Sequence, residues 1–208
     1  SASGGTARRL TSNLDEVSSP CLSPDGKLLA FVGQDEGPSE VYVMPAEGGS
    51  ARRLTFLGSL CRVVGWNPEG THILFCSSYR QITYGSLVLF QIRADSVNGE
   101  VEELPYGPVR SVTFGPKGQM VIGRNGGDPA SWKRYRGGAV GHLWIRSKAA
   151  KSGIGVFEKL LPQLDSNLAC PMWIVVKNRN RIFFVSDHEG VGNPVSYTHL
   201  RAHETHND

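Results

Sequence analysis

The residue types of a hydrolytic triad occur side by side near the end of the sequence, at Ser186, Asp187 and His188. In a working triad the serine, the histidine base and the carboxylate converge from different elements, with the base about 2.6–3.2 Å from the nucleophile. Consecutive residues do not provide that convergence, so we expect no catalytic residue here. We interpret the stretch as a loop that repeats Gly33-Gln34-Asp35.

A basic and aromatic stretch offers a second kind of chemistry. Lys133, Arg134 and Arg136 are interleaved with two aromatic rings. Three interpretations are open: the rings pack on the fold while the cations stay in solvent, the cations attract peptide carboxylates, or the stretch binds single-stranded nucleic acid. We predict that these cations line a substrate channel for peptides, together with Arg62, which lies just before a predicted inner strand.

The composition excludes several classes of protein. Hydrophobic residues make up 39% and charged residues 20% of the 208 residues, which allows a packed core and excludes wholesale disorder. No apolar run reaches the roughly 18 residues that a membrane-spanning helix needs, so we expect no membrane partner. The net charge of +3 is too small and too dispersed to indicate nucleic acid.

The cysteines show no disulfide framework and no zinc site. Cys21, Cys61, Cys76 and Cys170 lack C-x-x-C spacing, and we expect them to behave as small apolar residues of a reducing compartment. The cysteines therefore indicate a reducing compartment, and we expect neither a cofactor nor a metal ion.

Two motifs repeat along the chain with the same period. The first is Gly-Gly-Thr-Ala-Arg-Arg-Leu-Thr at Gly4, which returns 44 residues later at Gly48 as Gly-Gly-Ser-Ala-Arg-Arg-Leu-Thr. The second is a turn of the form x-Pro-x-Gly, which occurs at Ser23, Asn67 and Gly115. Proline fixes φ in such a turn and glycine accepts a positive φ. Two motifs with one period indicate a repeat architecture.

Each turn is followed by a dense apolar run, a polar loop, a second apolar run and a charged segment. Runs with little alternation are typical of strands buried on both faces, and the charged segment suits an outer edge strand. Four short strands in every repeat predict an all-β fold, an incomplete β-propeller of four-stranded antiparallel blades. Within residues 1–193 we expect three complete and two partial blades of a six-bladed ring, at about 1–11, 18–55, 63–104, 109–160 and 168–193.

The last residues, 194–208, resemble a conceptual translation of a transposase sequencing adapter, beginning at Pro194. We interpret them as a non-native read-through tail and expect no strand after Gly190. The tail contains His199, His203 and His206 at a spacing that would otherwise suggest a metal site. Since such a tail has no evolved second shell, we predict no metal binding.

Residues 121–145 carry the most distinctive pattern in the sequence. It consists of Val121-Ile122-Gly123-Arg124-Asn125, Asp128-Pro129, Trp132-Lys133-Arg134-Tyr135-Arg136-Gly137-Gly138 and Gly141-His142-Leu143-Trp144-Ile145. This block resembles the first, six-bladed propeller of the tricorn protease family, and weaker matches extend the resemblance over residues 4–193.

The resemblance implies a cytoplasmic serine peptidase that degrades oligopeptides and assembles into hexamers. In that family the catalytic serine and histidine lie in later regions, so it implies no catalytic residue in this chain. It implies a scaffold that channels or gates peptides, whose partners are peptides, the remaining domains of the same protease and further copies of the protein. One alternative is a stand-alone protein-binding propeller of the periplasmic Tol-system type. Another is the propeller of a prolyl-oligopeptidase-like hydrolase.

Overall fold

A computed structural model describes residues 4–11, 15–83, 86–125, 136–148, 154–177 and 179–198. Within these ranges the chain forms strands, one 3₁₀ turn at Pro116–Gly118 and no α-helix. The strands are β1 (Val17–Leu22), β2 (Leu28–Gly33), β3 (Glu40–Pro45), β4 (Arg52–Arg53), β5 (Cys61–Trp66), β6 (His72–Ser77), β7 (Val88–Arg93), β8 (Glu102–Pro108), β9 (Ser111–Phe114), β10 (Met120–Arg124), β11 (His142–Arg146), β12 (Glu158–Lys159), β13 (Leu168–Val176), β14 (Arg179–Ser186) and β15 (Asn193–Tyr197). The predicted all-β class is confirmed.

The strands form four sheets whose neighbours follow chain order. Three sheets have four strands, β1-β2-β3-β4, β5-β6-β7-β8 and β9-β10-β11-β12, and the last has three, β13-β14-β15. The strand pairs with a recorded register are antiparallel. This up-and-down order is that of propeller blades, which confirms the predicted architecture. Residues 4–11, expected to end a further blade, contain no strand.

The chain divides into two compact units. The first comprises Ser1–Ser86 and Phe90–Glu103. In it, Phe31 stacks on Tyr42 with ring centroids 5.5 Å apart, and Phe75 stacks on Phe90 at 5.6 Å. The first strands of its two sheets, β1 and β5, contact each other. The Trp66 indole crosses between them and donates a hydrogen bond to Cys21 O at 3.1 Å.

The second unit comprises Leu87–Leu89 and Leu104–Asp208. Its core joins one face of the β9–β12 sheet to the facing side of the β13–β15 sheet. The buried members are Val121, Leu143, Ile145, Leu160, Leu168, Trp173, Ile182 and Phe184. Each fully buried side chain of this size contributes roughly 1.5–3 kcal/mol. In this unit the two neighbouring sheets therefore exclude water from each other's inner faces, as propeller blades do.

The repeated turns have the predicted conformation. Gly26, Gly70 and Gly118 have φ values of 72°, 70° and 73°. In the first two turns the glycine N–H donates to the carbonyl of Ser23 or Asn67. The bond that closes the base of the turn spans five residues in the first two copies, from Ser23 N to Leu28 O and from Asn67 N to His72 O. In the third copy it spans four, from Gly115 N to Gln119 O, and Lys117 adopts a φ of 59° in this shorter turn.

Both copies of the Ala-Arg-Arg-Leu-Thr motif make the same local contacts. Arg9 Nε donates to Thr11 O at 2.7 Å, and Arg53 Nε donates to Thr55 O at 2.8 Å. The preceding arginine of each copy reaches the carbonyls of a turn: Arg8 that of Glu47, and Arg52 those of Ala94 and Ser96. The two copies differ in burial and in strand pairing, but their shared arginine contacts show that the repeat is structural.

The first strand of three sheets carries a β-bulge that the sequence repeat does not reveal. The register shifts between Ser18 and Cys21, between Val63 and Gly65, and between Ala169 and Met172. Ser19 and Cys170, each followed by proline, occupy two of these bulges with φ of 52°. A bulge bends its strand and increases the local twist.

The expectation that no strand follows Gly190 is wrong. Residues Asn193–Tyr197 form β15, which pairs with β14 over five residues, with Pro194 opposite Val185. Proline is tolerated there because β15 is the last strand of its sheet, where a missing N–H breaks no bond on the open side. The non-native origin of residues 194–208 stays a prediction.

Candidate functional site

A buried polar cluster lies where β14 ends and β13 begins. We define the Asp187 cluster as Arg136, Ser166, Asn167, Ser186 and Asp187. Asp187 is fully buried, and its Oδ1 accepts hydrogen bonds from Asn167 N at 2.8 Å and Ser166 Oγ at 3.0 Å. Ser166 Oγ also lies 2.5 Å from Ser186 Oγ. The strand ends position all of these groups except Arg136.

Arg136 joins the cluster from the connection between β10 and β11. Its Nη1 lies 3.2 Å from Asp187 Oδ2 and 3.3 Å from Oδ1, and its Nε lies 3.4 Å from Asp165 Oδ1. The Arg136 side chain is 32% exposed, whereas that of Asp165 is 89% exposed. The structure thus places Arg136 against a buried carboxylate, a contact that the sequence did not predict. Whether Arg136 also faces a peptide channel stays a prediction.

The electrostatics of Asp187 favour its ionised form. Burial alone would raise the pKa of this carboxyl, but the hydrogen bonds from Asn167 N and Ser166 Oγ and the Arg136 guanidinium outweigh burial and lower the pKa below its ordinary value. Asp187 is therefore a buried anion that tethers three segments of the chain.

The depressed pKa predicts an acid-dependent stability. Asp187 stabilises the folded state fully above the carboxyl's ordinary pKa, and this contribution is lost as the pH falls through the lower folded pKa. We expect the free energy of unfolding to fall less between about pH 5 and about pH 2 in Asp187→Asn than in the unchanged chain. Urea unfolding across this range measures both slopes, and parallel slopes would contradict the assignment.

Ser186 and His188 are closer than the sequence argument allowed. Ser186 Oγ lies 3.0 Å from His188 Nδ1, so the expectation that residues this close in sequence cannot place a base beside a serine is wrong. The arrangement is nevertheless not a catalytic triad. Asp187 bonds Ser166 and Asn167, the other histidine nitrogen faces Glu189 at 3.7 Å, and the Ser186 side chain is fully buried and out of reach of a substrate.

Arg62 was expected just before an inner strand, but the structure makes it the second residue of β5. Whether it faces a peptide channel stays a prediction. Its side chain is exposed, whereas Cys61 and Val63 beside it are buried. Within the described ranges the Arg62 side chain makes no hydrogen bond or ion pair. An unpaired guanidinium on the first strand of a blade suits a carboxylate ligand, because arginine offers a planar fork of donors.

Lys133 and Arg134 lie outside the described residues, as do Trp132, Tyr135 and the histidines of the tail. In the part of the chain that the structure describes, no three His, Cys, Asp or Glu side chains form a metal-binding group. The same part contains no helix long and apolar enough to cross a bilayer.

The cysteines differ in their surroundings. Cys61 and Cys76 are buried as expected, whereas Cys170 is exposed. Burial and the charge of Glu40 raise the pKa of the Cys61 thiol to about 12, which keeps this thiol protonated at neutral pH.

An aromatic cleft of about 360 Å³ lies in the second unit, between β8 and one face of β10 and β11. Its walls include Tyr106, Trp144, Phe157 and Arg124. The Arg124 guanidinium donates to Tyr106 O at 2.9 Å and Pro108 O at 3.2 Å, which fixes the end of β8. The cleft matches no prediction from the sequence.

The sequence reasoning missed most of the Asp187 cluster. Ser166 and Asn167 carry no motif, because they become neighbours of Asp187 only through the pairing of β13 with β14. The one signal was an aspartate directly after a buried strand, read as a loop residue. Glu40, 1% exposed, was missed for the same reason.

Comparisons with known proteins agree with the propeller fold. The family model described as "Tricorn protease N-terminal beta propeller domain" matches residues 1–208. Tricorn protease homolog 1 of Streptomyces coelicolor is 40% identical over 191 residues, which cover 91% of this chain and 17% of that protein. The crystal structure of the tricorn protease superposes with a TM-score of 0.76 and 26% identity, covering 94% of this chain and 19% of that chain.

The likeness to a Tol-system protein concerns the fold alone. TolB from Acinetobacter baumannii superposes with a TM-score of 0.51 at 18% identity, covering 86% of this chain and 43% of that chain. The chain spans under a fifth of the length of the tricorn relatives described above. Its four antiparallel blades and the match of the family model over its whole length show that it belongs to the tricorn protease N-terminal β-propeller domain family.

Proposed function

We propose that this chain is the N-terminal propeller of a larger serine-type peptidase that degrades oligopeptides. It supplies a scaffold and a channel for peptides and contributes no catalytic residue. The family match over residues 1–208 carries this proposal. The proposal further includes a cytoplasmic location, the remaining domains of the same protease as partners, and a hexameric assembly.

The channel role rests on cations that peptides would meet. Peptides carry a C-terminal carboxylate, and an arginine binds such a group through two parallel N–H donors. Arg62 supports this role because its guanidinium is exposed and unpaired within the described ranges. Lys133 and Arg134 belong to the proposal by their charge and position in the family-like stretch. Arg136 belongs to the same stretch, but its guanidinium contacts Asp187.

Replacing the proposed cations should weaken peptide binding without slowing the chemical step. In the full-length protein we expect Arg62→Gln, and Lys133→Gln with Arg134→Gln, each to raise KM about tenfold or more for an oligopeptide with a free C-terminal carboxylate, since a charge-assisted hydrogen bond contributes about 1.5 kcal/mol or more. The kcat should stay unchanged, and the C-terminal amide of the same peptide should show little change in KM.

Arg93→Gln is the matched control. Arg93, the last residue of β7, is also an exposed arginine, but its Nη2 is paired with Asp95 Oδ2 at 2.7 Å. Equal KM changes for the amide and the carboxylate peptide, or unchanged KM in both cation variants, would refute the channel role. Absence of peptide hydrolysis by the full-length protein would refute the proposed function as a whole.

A further inference from the structure

We infer that Arg136 is a positioning residue, which fixes the β10–β11 connection onto the start of β13 through the buried carboxylate of Asp187. It does not bind the peptide itself. The inference rests on the proposed peptide channel and assigns a distinct role to one of its four cations.

The two carboxylates that contact Arg136 differ in exposure. Asp187 is fully buried, whereas Asp165 is 89% exposed. Surface ion pairs contribute little because solvent screens them, whereas removing one partner of a buried pair leaves an uncompensated charge. Asp187 is therefore the partner that holds the guanidinium in place.

Asp187 is itself held by one backbone N–H and one side-chain hydroxyl at the start of β13. Asn167 N and Ser166 Oγ donate to Oδ1, and the Asn167 side-chain oxygen accepts from Gly141 N at 2.8 Å. Gly141 directly precedes β11, and Asn167 directly precedes β13. Asn167 thus connects the start of β11 to Asp187 by hydrogen bonds, and the Arg136 guanidinium binds to the same carboxylate.

A carboxylate ligand of Arg136 would have to compete with Asp187. The Asp187 carboxylate is already held in position by the folded chain, so it loses no conformational freedom when it binds the guanidinium, whereas a peptide does. A bidentate contact between Arg136 and a peptide would also leave Asp187 buried with a weakened partner. The geometry therefore favours Arg136 as a support for neighbouring groups.

A double-mutant cycle in the full-length protein tests this role, with Arg136→Gln, Asp187→Asn and the combination. If Arg136 positions the channel wall, each single variant should raise the KM for the carboxylate peptide about threefold to tenfold, with kcat unchanged. The double variant should be no worse than either single variant, because both remove the same link. Asp165→Asn, which removes only the exposed partner, should leave KM unchanged.

Direct peptide binding gives the opposite pattern. Asp187→Asn would then leave KM unchanged or lower it, since it frees the guanidinium, while Arg136→Gln would still raise it; this result would overturn the inference. Thermal unfolding of the same four proteins provides a readout that needs no peptide. Additive losses of stability would show that the two residues are not linked and would also overturn it.

The two proposals fail separately. If unfolding shows coupling between Arg136 and Asp187 but both Arg62→Gln and Lys133→Gln with Arg134→Gln leave KM unchanged, the peptide channel is refuted, while Arg136 keeps its structural role of fixing the β10–β11 connection. If Lys133→Gln with Arg134→Gln raises KM but Asp187→Asn does not, the channel stands and only the role of Arg136 is refuted.

Discussion

Replacing Glu40 with alanine is expected to lower the free energy of unfolding by about 3 kcal/mol or more, the range found when one partner of a buried ion pair is removed. Glu40 is 1% exposed and accepts from Thr55 Oγ1 at 2.5 Å and Gly58 N at 2.9 Å, and Arg53 Nη2 lies 3.3 Å away. Alanine would leave the buried Thr55 hydroxyl and the mostly buried Arg53 guanidinium without this acceptor. Urea unfolding at neutral pH measures the loss.

Glu36→Ala is the matched control for this prediction. Glu36 contacts the same guanidinium at 2.6 Å but is 63% exposed. Water can replace an exposed carboxylate, so we expect a loss of about 1 kcal/mol or less. If Glu40→Ala and Glu36→Ala destabilise the protein equally, burial does not control the contribution of these carboxylates, and the account given for Asp187 weakens as well.

Gly115→Ala is expected to destabilise the second unit by about 2–3 kcal/mol, because the new methyl group overpacks a filled site. A Cβ on Gly115 would lie under 3.0 Å from three carbons of the Trp173 indole. The indole has little room to move, since Trp173 N donates to Thr113 Oγ1 at 2.9 Å and Nε1 donates to Asn180 Oδ1 at 3.2 Å. We expect the melting temperature to fall by about 4–10 °C.

Two further variants make this prediction specific. Gly138→Ala should be close to neutral, since a Cβ there meets nothing within 4 Å. Combining Gly115→Ala with Trp173→Leu should lose less stability than the sum of the two single variants, because the smaller side chain makes room for the methyl group. Strict additivity would show that the indole does not enforce glycine at position 115.

Position 115 also shows a feature of the structure that the sequence repeat does not explain. The equivalent Ser23 and Asn67 use their side chains to close the turn: Ser23 Oγ accepts from Leu28 N, and Asn67 Oδ1 accepts from Thr71 N and His72 N. The alignment of the motifs shows glycine in the third copy but gives no reason for it. The reason is Trp173, 58 positions further on, which belongs to a different sheet.

The outer arginines show the same limit. A charged final segment in each repeat predicts an exposed edge strand, and β4 is indeed the outermost strand of its sheet. Arg53, however, is only 15% exposed, because Glu36 and buried Glu40 hold its guanidinium. Glu40 lies 13 residues earlier, and no local pattern marks it as the partner.

The sequence by itself determined the architecture: the period of 44 to 48 residues, the turns that close at glycine and the apolar runs that become buried strands are all local patterns. Tertiary structure alone decided which polar side chains meet. The Asp187 cluster unites Arg136, Ser166 and Asp187 from three segments, and their contacts depend on the register of β13 with β14. Periodicity places a strand, but hydrogen bonds between distant residues depend on distances of a few tenths of an ångström, which only the packed chain sets.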